Sequence, residues 1–587
     1  KSVGNQDRMA QVLTRVSEAL LLQADYARAL SAAESALTMA TQSGNGELVW
    51  YARNLAGKAQ LKLDRGPQAY NSFTSAISTV ESLRAESSVS AGEYNRSLPY
   101  LSAIDFLMSQ HRPSEAFHYA ERAKIEFLVD LLKNNNAVPG KGLSPDQRRE
   151  EKRLSGEVAS LEIQLERDSE QRSSSEARRS DLRNRLRTAR TAYADFRQKV
   201  FGANPGVKVS RGELAPLRLE DIGSLITDTS TALLEYTITE NNTYLFVLTA
   251  DKPRRNRPIE INLKVYPLEI KYNELAWRVR NFHQLLTSRA DNFHELALEL
   301  YDILVKPAQD QIALKTKIVV VPDSVLWRLP FEALQMADDH YVVDSAQVSY
   351  APSLSALREM RKQPSPIGRL NSLLVAYANP DLSKKFTSRF ELAYGDIKLE
   401  ASADQQEEIK RIATIYGVKT SRLSVGPQAN AEQIQSGTSR ARILHFAVPV
   451  ILDDTSPMSS FITLSPGTSE QDGFFNTRKI MELESATELV VASTAQHSAG
   501  FNGNAELGFS WAWFVAGARA TLVSRWKVES PAPSPLLTGF YSSLKATTRP
   551  PVSKTRALRQ SMLAIRRSTG YQHPYYWAGF AMIGDAR

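Results

Sequence analysis

Cysteine is absent from all 587 residues. That excludes disulfides, thiolate metal sites and a cysteine nucleophile at any position. It leaves the compartment open, because cytosolic and exported chains can both lack the residue. The eight histidines show no HExxH or comparable metal-ligand spacing, and no glycine-rich phosphate loop occurs, so neither a metal nor a cofactor is expected. Long apolar runs are missing too. The most apolar stretch, Phe509 to Val523, is broken by Arg519 and falls short of the ~20 residues a spanning helix requires. The chain opens at Lys1 with no initiator Met and no charged-then-apolar leader, which reads as a fragment or mature form with further repeats upstream. A cytoplasmic protein without membrane contact is the expected class.

What is present is ordinary globular composition. Hydrophobic residues make up 42% and charged residues 23%. A chain of this length exceeds one hydrophobic core, so two to four domains are expected. The net charge of +8 comes from 72 Lys and Arg against 64 Asp and Glu, and much of the excess lies between residues 141 and 200. A solvated helical face accounts for it. The alternative, a nucleic-acid surface, lacks the interleaved stacking aromatics such a site uses.

The first ~135 residues carry apolar positions at helical spacing. Three segments resemble one another: YARALSAAESAL, GPQAYNSFTSAI and PSEAFHYAERAK, with Ala29-Ala33-Ala36, Ala69-Phe73-Ala76 and Ala116-Ala120-Ala123 on one helical face each. That spacing suits the second helix of a tetratricopeptide repeat, although the segments recur at 40 and 47 residues rather than 34. Stacked repeats would form a groove for a protein or peptide partner. After NNNAVPG (134–140), the stripe Leu154, Val158, Leu161, Leu165 and its counterpart Leu182, Leu186, Ala189, Phe196 flank the turn-like QRSSSE (171–176). Two antiparallel helices in a coiled-coil hairpin follow from that pattern.

From about residue 230 the period changes. TALLEYTITE and NTYLFVLT read as a β-hairpin, and KIVVVPD, SLLVAYANPDL, ARILHFA, ELVVAST and ATLVSRWKV read as short buried strands. Helical patterns such as DQQEEIKRIATIYG and GFSWAWFVAGA lie between them. Strands alternating with helices predict an α/β layer structure with a largely parallel sheet, whose working residues sit beyond the strands' carboxyl ends.

The order of these pieces is specific. VVVPDSVLWRLPFEAL, VSYAPSLSAL, ANPDL, ARILHFA, DGFFNTRKIMEL, ELVVAST, AGARATLVSRWKV and HPYYWAGFAMIGD together resemble the CHAT domain across roughly residues 230–587. CHAT domains form a clan of caspase-like and separase-like peptidases usually found behind tetratricopeptide repeats. The resemblance implies a caspase-like sheet flanked by helices, behind an all-α repeat array and a helical hairpin. The implied boundaries are 1–139 for the repeats, 140–205 for the hairpin, 206–366 for the first CHAT part and 367–587 for the second, caspase-like part.

The resemblance also implies a catalytic histidine in an LHFATHG-like run and a cysteine in an SACETG-like run, at the ends of neighbouring strands. The imidazole generates and positions the thiolate. Here the first run reads Leu444-His445-Phe446-Ala447-Val448-Pro449-Val450, and the second reads Ser493-Thr494-Ala495-Gln496-His497. Pro449 stands at the base position and Ala495 at the nucleophile position, so a pseudo-peptidase acting as scaffold, decoy or regulator is the expected function. The alternative is a residual hydrolase in which Ser493, Thr494 or Ser498 replaces the thiol and His497 or His445 the base. His445 lies four residues before Pro449, about 13 Å along a strand, and reads as a hydrogen-bonded core histidine. Asp453 and Asp454 are candidates for selecting a basic partner peptide. Asp323, Arg328 and Glu332 read as a loop-to-strand junction, and Trp511, Trp513, Trp526 and Trp577 as core.

Overall fold

The computed structural model describes residues 3–86, 95–134, 141–170, 176–251, 260–337, 339–363, 372–382, 384–395, 397, 399, 402–466, 473–498, 500–527, 533–546 and 551–587. The chain divides into two compact units, Lys1–Pro216 and Leu217–Arg587.

The first unit is helical among the described residues. Three successive helix pairs open it: α1 (Val3–Leu22) with α2 (Tyr26–Ser43), α3 (Gly46–Lys62) with α4 (Gly66–Glu86), and α5 (Leu98–Ser109) with α6 (Pro113–Asn134). The alanine stripes fall on the second helix of each pair. Ala29, Ala33 and Ala36 on α2, Ala69, Phe73 and Ala76 on α4, and Ala116, Ala120 and Ala123 on α6 are all buried. A small side chain at these positions lets the partner helix approach closely. Gly57 on α3 shows how closely, since a Cβ there would lie 2.5 Å from the Phe73 ring. The turn between α2 and α3 is set locally. Gly44, at φ +76, ends α2, and the Asn45 side chain accepts the Leu48 N–H to start α3.

Two longer helices follow, α7 (Pro145–Glu170) and α8 (Glu176–Ala203). Leu154, Val158 and Leu161 pack against Leu182, Leu186, Ala189 and Tyr193, with Leu165 and Phe196 at the seam's margin. The charged residues of both helices lie mainly on the outer faces, where they form i,i+3 and i,i+4 pairs such as Arg153 with Glu150 and Glu157. The NNNAVPG segment from residue 135 and the QRSSSE segment up to residue 175 lie outside the described residues.

The second unit is built on strands β1 (Thr231–Ile238), β2 (Thr243–Ala250), β3 (Ile261–Leu268), β4 (Lys317–Val321), β5 (Gln335–Ala337), β6 (His340–Tyr341), β7 (Gln347–Tyr350), β8 (Ser372–Ala378), β9 (Ser421–Val425), β10 (Ala441–Ala447), β11 (Val450–Leu452), β12 (Phe461–Thr463), β13 (Phe474–Asn476), β14 (Leu489–Ala492), β15 (Ala495–His497), β16 (Ala520–Ser524) and β17 (Phe580–Gly584). Eleven of them make one sheet, in the order β3-β2-β1-β4-β7-β17-β16-β14-β10-β8-β9. β1, β4 and β7 run parallel to one another, as do β9, β8, β10, β14 and β16. β1 and β2 form the antiparallel hairpin anticipated around ENN, and both strands are buried throughout.

Runs buried on both faces have no alternation to display, which is why these strands read as continuous apolar blocks. The helix Asn504–Ala516 is buried along nearly its whole length and carries Trp511 and Trp513 into the core; Trp577 is equally buried. A second, four-stranded sheet, β13-β12-β11-β15, stands just past the ends of β10 and β14. No helix among the described residues is long and apolar enough to cross a membrane.

Candidate functional site

β10 and β14 are neighbouring parallel strands, with His445 opposite Val491 and Phe446 opposite Ala492. Past their carboxyl ends the chains stay together. Val450 pairs with Ala495, Ile451 with Gln496 and Leu452 with His497. The fold therefore brings the segments holding Pro449 and Ala495 side by side, although 46 residues separate them in sequence. The place is tightly packed: Ala495, Val448 and Val450 are each 0% exposed. The Ala495 N–H donates to Ser524 Oγ at 2.6 Å, and the Pro449 carbonyl accepts the Thr463 N–H at 2.8 Å. A methyl and a pyrrolidine ring here offer neither a nucleophile nor a base.

The three hydroxyls nearby are turned to the neighbouring main chain. Ser493 Oγ donates to the Phe446 carbonyl at 3.4 Å, Thr494 Oγ1 to the Val448 carbonyl at 2.6 Å and Ser498 Oγ to the Leu452 carbonyl at 3.4 Å. His497 instead lies 3.5 Å from Glu506 Oε1 on the helix Asn504–Ala516. His497 and Ser498 thus have different partners, Glu506 for the one and the Leu452 carbonyl for the other. His445 is fully buried; its Nδ1 is 2.7 Å from Tyr541 Oη and its Nε2 is 2.8 Å from Glu408 Oε1. Both ring nitrogens are engaged within the core.

The acidic pair separates in the same way. Asp453 Oδ1 accepts the Thr455 and Ser456 N–H groups and the Thr455 hydroxyl, closing its own turn. Asp454 points inward and is buried. It accepts from the N–H groups of Asn502, Gly503 and Ala505, anchoring the start of the helix Asn504–Ala516, and pairs with Arg328 at 2.9 Å. The basic group that meets Asp454 is thus one of the protein's own. Gly503, at φ +76, permits the approach, since a Cβ would lie 2.0 Å from Trp327 Cβ.

Arg328 opens onto a polar cluster that no sequence pattern announced. Its Nη1 lies 3.2 Å from Glu506 Oε1. Arg525, just past β16, donates through Nη1 to the Trp327 carbonyl at 2.6 Å and stacks over Tyr350. Glu332 accepts the Tyr350 hydroxyl at 2.6 Å. Phe501 lies against His283 and Arg328. Burial, joined by the Arg328 and Arg525 charges, pushes the His497 and His283 imidazoles down, the latter to about 3. Burial pushes the Glu506 carboxyl up, and the Asp454 charge adds to that push. The one available signal was a lone carboxylate, Glu506, in an otherwise apolar helix. Asp323, from the same predicted junction, accepts the Ile238 N–H at 2.8 Å. No group of three or more potential metal-ligating side chains occurs among the described residues.

The family described as the CHAT domain matches residues 294–585. Tetratricopeptide repeat protein 28 of Homo sapiens and that of Mus musculus are each 22% identical over 335 residues, which is 49% of this chain and 13% of the relative. The chain thus spans a small fraction of the length of the curated relatives it matches. Two crystal structures of the Saccharomyces cerevisiae separase–securin complex align over 98% of this chain and 47% and 46% of the other, at 10% and 9% identity and TM-scores of 0.35 and 0.37. Residues 294–585 of the mixed α/β unit thus form a CHAT domain, which follows a first unit that is helical among the described residues.

Proposed function

We propose that this protein binds polypeptide ligands without cutting them, as a pseudo-peptidase in which the helical repeats capture a partner and the CHAT domain serves as scaffold, decoy or regulator. One observation carries the reading. The two segments that would hold a base and a nucleophile are paired in register, yet the space is filled by Val448, Pro449, Val450 and Ala495, all buried. A cysteine mechanism needs a thiolate beside an imidazole, and members of such a unit act together, so replacing either removes most of the rate. The zero cysteine count leaves no thiol to relocate. The hydroxyls of Ser493, Thr494 and Ser498 are committed to main-chain carbonyls, which argues against a serine or threonine substitute.

The test is incubation of the purified full chain with a broad peptide library, read by mass spectrometry. No sequence-selective cleavage is expected. Selective cleavage that disappears on Ser498→Ala or His497→Ala would overturn the proposal.

A further inference from the structure

The buried cluster behind Phe501 holds more hydrogen-bonding capacity than the protein uses. Arg525 and Glu506 are 3% and 2% exposed. Arg525 Nε and Nη2 donate no hydrogen bond, and neither carboxyl oxygen of Glu506 accepts one. Arg328 Nε, His283 Nε2 and both ring nitrogens of His497 are in the same condition. Native cores satisfy nearly all such atoms, so this many in one place is a departure that calls for a ligand or ordered water.

The free atoms have a definite shape. The guanidinium of Arg525 is held by Nη1, which leaves open the side formed by Nε and Nη2. Two parallel N–H groups on that edge match the two oxygens of a carboxylate. The surroundings favour a single negative charge. Arg328 pairs with Asp454 at 2.9 Å and with Glu506 at 3.2 Å, whereas no carboxylate accepts from Arg525 Nε or Nη2. Phe501 and His497, at the margin of the cluster, keep partial exposure. Phe501 lies between Gly500 and Gly503, both at positive φ, so its loop is free of the usual side-chain restriction on either flank.

We infer that the Arg525, His283, His497 and Glu506 cluster behind Phe501 is a binding site for a carboxylate, supplied by an aspartate or glutamate side chain of a partner polypeptide. This goes beyond the non-cleaving reading and does not depend on it. It also reverses the charge expected of a partner from Asp453 and Asp454.

The probe is a set of terminally blocked, dye-labelled hexapeptide pools with one fixed position: Asp or Glu, Asn or Gln, or Lys or Arg. Binding to the full chain is followed by fluorescence anisotropy. The acidic pools are expected to bind at least about ten-fold more tightly than the amide pools, as a charge-assisted pair replaces a neutral one. Arg525→Gln removes that preference. Arg525→Lys, which keeps the charge and disturbs the fold less, also loses most of it because an ammonium presents no fork. Equal or absent binding of acidic and amide pools by folded protein would overturn the inference and leave the cluster holding water only. So would a preference for the basic pools, or an acidic preference undiminished in Arg525→Lys. Mass spectrometry of the recovered peptides reports cleavage separately, so the two proposals fail independently.

Discussion

Replacing Asp454 offers a demanding test of how the strand-end region is held together. Its carboxylate meets Arg328 at 2.9 Å in a place where both side chains are almost wholly buried. Removing one partner of such a pair costs about 3–5 kcal/mol, although Glu506 still stands 3.2 Å from Arg328 Nη1. The same carboxylate receives three N–H groups at the start of the helix Asn504–Ala516, and losing a helix-start acceptor costs about 1 kcal/mol more. Asp454→Ala is therefore expected to destabilise the second unit by about 4–6 kcal/mol, much of a typical net stability of about 5–15 kcal/mol. Asp454→Asn keeps a carbonyl acceptor and loses less. Adding Arg328→Met to Asp454→Ala recovers part of the loss, because the buried guanidinium that faced Asp454 is gone. Asp453→Asn, which only weakens a surface turn, costs at most about 1 kcal/mol. Urea unfolding followed by tryptophan fluorescence reads this unit well, since of the seven tryptophans only Trp50 lies outside it. A loss below about 1 kcal/mol for Asp454→Ala, or a larger loss for Asp453→Asn, would refute the assignment of Asp454 to the frame.

Gly57→Ala in α3 gains about 1 kcal/mol of helix propensity but drives a methyl to 2.5 Å from the buried Phe73 ring, so a net loss of about 1–2 kcal/mol is expected in thermal melts. Tyr541→Phe strips His445 Nδ1 of its partner inside the core and is expected to cost about 1–3 kcal/mol in urea, without changing peptide binding. Lys554 is lowered to about 8, chiefly by burial, against an ordinary 10.5. The unfolded chain then binds this proton more tightly than the folded one, so stability should rise with pH from about 8 towards 10, and that slope should vanish in Lys554→Met.

The strands were legible because a strand covered on both faces must be apolar throughout, as in KIVVV and ARILHFA, and the repeat pairs because close helix contact demands small residues at fixed spacing. The aspartate pair was read together as a candidate for a basic partner peptide, but Asp453 closes a turn while Asp454 is buried against Arg328. The cluster around Arg525 left no pattern, since His283, Arg328, His497, Glu506 and Arg525 come from five separate segments and each looks like an isolated polar residue. Topology alone unites them.

On the proposed reading, the same distinction explains how the architecture outlasts the dyad. Pairing Val450 with Ala495 requires main-chain hydrogen bonds and side chains of acceptable volume, and valine and alanine meet both conditions. Catalysis requires in addition a thiolate, an imidazole and room between them for a peptide carbonyl. The first set of demands is met by residue classes and the second by particular atoms, so the fold tolerates Pro449 and Ala495 where the chemistry does not. Recognition makes an intermediate demand, for charge and donor geometry without a reacting atom. In this protein the open edge of Arg525 meets that demand a few residues from the strand ends, which is where the search for a partner should begin.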